Sequence, residues 1–136
     1  MKRLEPPGIP EPVGGYTHGL IVDSSALLFI SGQTPVGSDG LPDGFELQCE
    51  KVWANIAAVL GSAGLGPRHL VKVTTFLADR AFTEANGRIR RRVLGEHRPA
   101  LTVVIAQLFD PAWLLEIEAI AAFPPSPSGG PPARVA

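Results

Sequence analysis

Two glutamates near the end of the chain have the type and spacing needed for acid–base chemistry. Glu116 and Glu118 alternate with Leu115, Ile117 and Ala119. Because successive side chains of a strand point to opposite faces, both carboxylates project from one face while the apolar residues pack behind them. The pattern indicates either a strand face wetted by solvent or a general acid or base held at a cleft.

Two glycine-containing segments are candidates for the wall of a small-molecule pocket. Ser31 and Gly32 end an apolar run, where glycine lets the backbone approach a ligand and a serine hydroxyl can donate or accept a hydrogen bond. Tyr16 follows Gly14 and Gly15, which places a phenol beside a flexible backbone. Each segment is also typical of an ordinary strand exit or turn, so neither defines a pocket alone.

The sequence has no pattern typical of a metal site. The three histidines show no metal-binding spacing, and no cysteine or carboxylate completes one. Cys49 is the single cysteine, which excludes an intrachain disulfide and a site built from cysteines alone. The signatures of a serine hydrolase, a P-loop nucleotidase and a dinucleotide enzyme are also absent from the sequence.

Length and charge limit the function classes further. The chain has 136 residues, 45% of them apolar, and a net charge of -1, which suits one globular domain with one core. A net charge near zero gives no global attraction to nucleic acid or anionic lipid. Arginines between positions 88 and 92, with Arg80 and Arg98, could meet RNA phosphates, but the few aromatic residues favour a solvated helix face.

Prolines concentrate at the two ends of the chain. Nine of the 14 prolines lie there, which predicts a Pro-rich tail over 1–12, one domain over 13–123, and a flexible Pro/Gly/Ser-rich tail over 124–136. The basic start lacks the apolar stretch of a signal peptide, and no apolar run is long enough to span a membrane. We therefore expect a cytoplasmic protein without membrane contact.

Strands and helices that alternate along the domain must position these residues. Apolar residues recur at helical spacing over 45–63, with Gly64 as a C-terminal cap, and Asp79 is placed to cap a second helix. A turn-prone segment at 23–25 predicts a hairpin between the first two strands. The predicted elements are strands 19–22 and 27–31, helix 45–63, strand 70–77, helix 81–95, and strands 101–108 and 114–123.

This ββαβαββ order predicts an α+β fold in which both helices cover one face of a mixed sheet. The other face of the sheet then needs cover. Association between copies of the chain is the natural way to supply it.

Several short segments, taken in order, resemble one known family. They are Gly15 to His18, Phe29 to Pro35, Gln48 with Asn55, Ile56 and Leu60, Ala63 to Leu65, Val71 to Thr74, Phe82 with Asn86, Pro99-Ala100, and Glu116 to Ala121. No single segment is specific, but the ordered set over residues 12–122 resembles the RidA (YjgF) family of reactive-intermediate deaminases.

The resemblance implies a chorismate-mutase-like fold and a homotrimer with small-molecule clefts at the subunit interfaces. For the active branch of the family it implies hydrolysis of enamine or imine acids to a 2-keto acid and ammonia, without metal or organic cofactor. In that chemistry a glutamate matching Glu118 positions the attacking water. Positions matching Tyr16, Ser31 and Gly32 line the pocket.

The chain departs from the family at the arginine that grips the substrate carboxylate. The family segment Pro-Ala-Arg-Ser reads Pro99-Ala100-Leu101-Thr102 here. Counting back from Glu118 puts Leu101 at the arginine position, whereas matching the following strand puts Ala100 there, so neither register supplies a guanidinium. Arg98 is the nearest arginine that could replace it. We expect Arg98, Leu101 and Thr102 to line the ligand cleft.

Loss of a bidentate contact costs a few kcal/mol, so we expect no acceleration of 2-iminopropionate hydrolysis. Three functions stay open. The first is a deaminase-like hydrolase acting on a different imine or enamine, with Leu101 selecting an apolar group. The second is a non-catalytic trimer that binds a metabolite or a partner protein in the same clefts. The third, with the weakest support, is binding or cleavage of RNA.

Overall fold

A mixed sheet backed by two helices forms the body of the computed structural model, which describes residues 1–127. The elements in chain order are β1 (Lys2–Leu4), β2 (Gly19–Ile21), β3 (Leu27–Gln33), α1 (Phe45–Ser62), β4 (Leu70–Leu77), α2 (Thr83–Leu94), β5 (Ala100–Ile105) and β6 (Leu115–Ala122). The helices pack against each other, and α1 also packs on β3 and β6. The α+β class, with helices covering one face of a mixed sheet, is therefore confirmed.

The last strand of the chain lies inside the main sheet. The strand order is β3-β6-β4-β5, in which β6 runs antiparallel to both of its neighbours and β4 runs parallel to β5. Parallel neighbours need a crossover connection, which α2 provides. Side chains of β6 are thus flanked by β3 on one side and β4 on the other, with Thr74 directly opposite Glu118.

Helix α1 forms where the apolar periodicity predicts it. Its buried apolar side chains are Phe45, Cys49, Val52, Trp53, Ile56 and Leu60. Gly64 follows with a φ of 71°, a left-handed conformation that favours glycine. Asp79 Oδ1 accepts a hydrogen bond from the Ala81 backbone N–H at 2.8 Å, which caps the turn leading into α2 as predicted. No helix within residues 1–127 is long and apolar enough to cross a membrane.

The predicted hairpin between the first two strands of the domain is wrong. β2 pairs with β1, whereas β3 pairs with β6, where Ile30 lies opposite Ala119. The turn-prone segment 23–25 still carries hydrogen bonds, but Ser24 Oγ donates to the Phe123 carbonyl at 2.8 Å and ties this connection to the end of β6. A local turn signal does not select a strand partner, because pairing depends on which neighbour lets the strand bury its apolar face.

The structure describes the predicted N-terminal tail but only the first residues of the predicted C-terminal tail. Residues 2–4 form β1, and Glu5 Oε1 accepts a hydrogen bond from the buried Thr17 Oγ1 at 2.6 Å, so this part of segment 1–12 is attached to the domain. Most of the predicted tail 124–136 lies outside the described residues, since the description ends at residue 127.

The sheet face opposite the helices carries large apolar side chains. Leu27 and Phe29 project from β3 and are 50% and 70% exposed, while Leu28 and Ile30 point to the helices. Val104 of β5 lies opposite Phe76 on the same face and is also exposed. We refer to this side of the sheet, which bears Phe29, Glu118 and Lys72, as the open face.

Candidate functional site

A depression of about 250 Å³ lies on the open face. It collects side chains from β3, β4 and β6, of which Ser31, Lys72, Thr74 and Glu118 are polar or charged. The remaining lining residues are Phe29, Ile30, Ala119 and Ile120. The sheet therefore brings the predicted Ser31 and Glu118 together and adds an amine that the sequence analysis did not single out.

An irregularity in β3 shapes one wall of this depression. Ile30 pairs with Ala119, but Gln33 pairs with Ile117, so the register shifts by one residue between them. Ser31 and Gly32 consequently both oppose Glu118, which is the arrangement of a β-bulge. A bulge re-aims side chains and frees backbone groups from the ladder, which suits the edge of a ligand site.

Because Gly32 has no side chain, the Glu116 side chain can occupy the space beside its backbone. A Cβ atom built at position 32 would collide with Oε2 of Glu116 and would lie 2.9 Å from its Cδ atom. The Glu116 carboxylate thus lies against the backbone of the bulge, while Glu118 lines the depression. The prediction that both glutamates share one face is confirmed, since Leu115, Ile117 and Ala119 are buried behind them.

Lys72 is the functional candidate that the sequence analysis missed. Its Nζ donates a hydrogen bond to Thr102 Oγ1 at 2.6 Å. Burial lowers the pKa of the Lys72 ammonium, and the Glu118 carboxylate acts in the opposite direction. The available signal was alternation: Lys72 and Thr74 are polar at every second position of an apolar strand, as Glu116 and Glu118 are in β6.

The strand register decides which of the two candidate arginine positions faces this site. Leu101 lies opposite Val73, is half-buried and packs against the core on the helix side. Ala100 lies opposite Lys72, and Thr102 lies opposite Thr74. Partners in a parallel pair share a face, so Ala100 and Thr102 belong to the open face whereas Leu101 does not.

Tyr16 and Arg98 lie apart from the depression. The backbone N–H of Thr17 donates to the Pro99 carbonyl at 3.3 Å, which fixes the Tyr16 segment beside the start of β5. Arg98 is exposed and lines a separate cavity of about 360 Å³, together with Arg3 and His97. Neither Tyr16 nor Arg98 is among the residues that line the depression.

Three of the four arginines of α2 have specific partners. Arg88 pairs with Glu46 at 2.5 Å and Arg92 pairs with Glu50 at 3.1 Å, so both connect α2 to α1. Arg90 is buried and donates to the Gly14 carbonyl at 2.9 Å, and burial lowers the pKa of its guanidinium. These contacts leave less free positive charge on α2 than the sequence suggests.

Comparisons with known proteins match most of the chain to one family. The family model described as Endoribonuclease L-PSP matches residues 8–123. Protein HMF1 of Saccharomyces cerevisiae is 34% identical over 116 residues, which covers 83% of this chain and 88% of that protein. TdcF of Escherichia coli, whose name describes a reactive intermediate deaminase, is 29% identical over 125 residues, covering 88% of this chain and 95% of TdcF.

Solved structures show the same fold. A structure of Escherichia coli TdcF with bound serine has a TM-score of 0.67 at 28% identity, covering 90% of this chain and 98% of that chain. A Rid family protein of Yersinia pestis has a TM-score of 0.79 at 28% identity, with the same coverage of both chains. With these matches extending over most of its length, the chain belongs to the RidA/YjgF family, whose model is described as Endoribonuclease L-PSP.

Proposed function

We propose that this protein is a cofactor-independent hydrolase of a small imine or enamine, with Glu118 as its general base. The observation that carries the proposal is the position of Glu118 on an inner strand, in a depression, opposite the Ser31–Gly32 bulge. A carboxylate on a rigid strand is held in one orientation, which favours proton transfer at a defined point. The similarity to TdcF supports the same reaction class.

The reaction needs one base and a bound water molecule. Glu118 accepts a proton from the water as the water oxygen bonds to the imine carbon, and it passes that proton to the nitrogen as the C=N bond becomes single. In the resulting carbinolamine, Glu118 transfers the hydroxyl proton to the nitrogen in the same way, so ammonia leaves as the carbonyl group forms. Ser31 lies in the same depression and is the hydroxyl available to hold the water or the leaving nitrogen.

The substrate we propose binds without a contact between an arginine side chain and a carboxylate. Position 100 on the open face is alanine, position 101 is a leucine that packs against the core, and Arg98 lines a different cavity. Lysine binds anions as a point charge and does not reproduce the planar fork of arginine. Apolar walls at Phe29 and Ile120 instead favour an imine with an uncharged or apolar group.

We also propose that the active form is a homotrimer with its clefts at the subunit interfaces. The apolar residues of the open face, Phe29 above all, lack cover in one chain and are the kind of surface that subunits bury. Light scattering coupled to size exclusion should give the mass of three chains. Phe29→Glu should lower that mass, and a monomeric wild type would contradict the assembly.

Paired variants test the reaction. Hydrolysis of imines generated in situ by an amine oxidase should be accelerated by the wild type and abolished in Glu118→Gln, while 2-iminopropionate should not be accelerated. Glu116→Gln is the matched control, because it removes the neighbouring carboxylate of the same strand face. Full activity in Glu118→Gln would overturn its role, and loss in Glu116→Gln alone would assign the base to Glu116.

Ligand binding without catalysis is the second candidate, favoured by the missing guanidinium. Thermal unfolding with a panel of small imines, amines and keto acids separates the two, because a ligand specific to the native state must raise the melting temperature. Stabilisation by a compound that the protein never converts would support a binding protein. Binding of RNA has less support, since Arg88 and Arg92 are paired with glutamates of α1.

A further inference from the structure

Lys72 is the cationic side chain that lines the depression on the open face. The chain has three lysines, Lys2, Lys51 and Lys72. Lys2 belongs to β1 and Lys51 lies on α1 against Gly37, so neither shares the surroundings of Lys72. An amine in a depression with apolar walls is in the setting where lysine acts as a nucleophile.

The contacts of Lys72 hold its amine in place. Nζ donates to Thr102 Oγ1 at 2.6 Å, so the long side chain is directed across the sheet from β4 to β5. Glu118, one strand away on the other side, is close enough to interact electrostatically with the amine. A nucleophile with an adjacent carboxylate and an orienting hydroxyl has the elements that covalent catalysis uses.

Two opposite effects act on the pKa of the Lys72 amine. Burial lowers the pKa of Lys72, which increases the fraction of the neutral, nucleophilic form. Glu118 raises it and so opposes the effect. The same carboxylate can accept the proton that the amine must lose, so Glu118 can act as the general base for Lys72.

We propose that Lys72 forms a reversible Schiff base with small aldehydes and ketones, and exchanges with small iminium ions by transimination. This inference rests on the proposed function and replaces the direct attack of water on the free imine by attack of water on a Schiff base at Lys72. A covalent bond to the imine carbon fixes an uncharged substrate, so no guanidinium is needed at positions 100 and 101 to hold it.

The chemistry balances without an added reagent. With an iminium ion, the neutral Nζ bonds to the electrophilic carbon and forms a diamine, a proton moves from Nζ to the other nitrogen through Glu118, and ammonia leaves. Water then adds to the protonated Schiff base, the C–Nζ bond breaks, and the products are a carbonyl compound and free Lys72. With a carbonyl compound, the same attack expels water instead of ammonia.

Reductive trapping tests the inference directly. The full chain is incubated with acetaldehyde or acetone, reduced with sodium cyanoborohydride, digested and mapped by mass spectrometry at all three lysines. We expect the reduced adduct on Lys72 to exceed that on Lys2 and Lys51, and to be lost in Lys72→Arg. Lys51→Arg is the matched control and should leave labelling of Lys72 unchanged. Equal labelling of the three lysines would overturn the inference.

Activity separates this inference from the function on which it rests. Lys72→Arg keeps the positive charge and the hydrogen-bond donor but removes the nucleophilic amine, so imine hydrolysis should fall while circular dichroism shows an intact fold. Wild-type activity in Lys72→Arg would overturn the covalent role and leave the hydrolase standing. Trapping at Lys72 in a wild type that hydrolyses no imine would overturn the hydrolase and leave the Schiff base standing.

Discussion

The carboxylate of Glu116 occupies the space where a side chain at Gly32 would begin. The two residues meet because β3 bulges at Ser31–Gly32, beside the part of β6 that carries its glutamates on the open face. The absence of a Cβ atom is therefore a packing requirement of the site and not only a source of backbone freedom.

Gly32→Ala should destabilise the protein by about 1–3 kcal/mol, because the new methyl group overlaps the Glu116 side chain. Glu116→Ala should relieve the overlap, so the double variant should be more stable than the sum of the two single changes predicts. Urea unfolding of the wild type, the two single variants and the double variant measures this coupling.

Gly61→Ala is the control for that cycle. A Cβ atom at Gly61 in α1 would meet no atom within 4 Å, so alanine should raise stability by a few tenths to about 1 kcal/mol. Additive effects of Gly32→Ala and Glu116→Ala would show that the two side chains do not compete for one space.

Lys72 should react with an acylating reagent at a lower pH than a free lysine side chain does. Burial lowers the pKa of its ammonium, and Glu118 counteracts part of that shift. Competitive acetylation is carried out across a pH series, with Nα-acetyl-lysine amide as the reference compound. Mass spectrometry then gives the midpoint of the pH dependence of the Lys72 acetylation rate. The midpoint should fall further in Glu118→Gln, because that variant removes the carboxylate that favours the charged form. An unchanged or higher midpoint in Glu118→Gln would contradict this.

Cys49 should be unreactive in the folded protein. It is fully buried on α1, and desolvation, followed by the neighbouring Glu50, raises its pKa to about 12. The thiolate is the reactive species, so a disulfide reagent at pH 8 should titrate no thiol until denaturant is added. Stoichiometric reaction before unfolding would show that α1 opens in the native state.

Arg90 and Arg88 should differ in their contribution to stability although they lie two residues apart. Arg90→Ala removes a buried donor to the Gly14 carbonyl and should cost about 1–3 kcal/mol. Arg88→Ala breaks an exposed ion pair with Glu46 and should cost less than about 1 kcal/mol, decreasing with added salt. Equal costs in denaturant titrations would contradict this ranking.

Local patterns in the sequence determined the helices, the cap and the faces of the strands. The apolar spacing of α1, the Asp79 cap and the alternation around Glu116 and Glu118 are properties of neighbouring residues, and all three are present in the structure. Physical periodicity suffices for these features, because each depends on contacts within a turn of helix or on opposite sides of one strand. The resemblance to the RidA family likewise rests on residues in sequence order and is confirmed.

Only the tertiary structure decided which strands are neighbours, and therefore which residues share the site. Pairing of β2 with β1, insertion of β6 between β3 and β4, and the register that turns Leu101 to the core are all contacts between residues distant in sequence. Such pairings follow from burial of whole faces, and a shift of one residue reverses every side chain. Lys72 and Glu118 became neighbours through this pairing, which no local pattern contains.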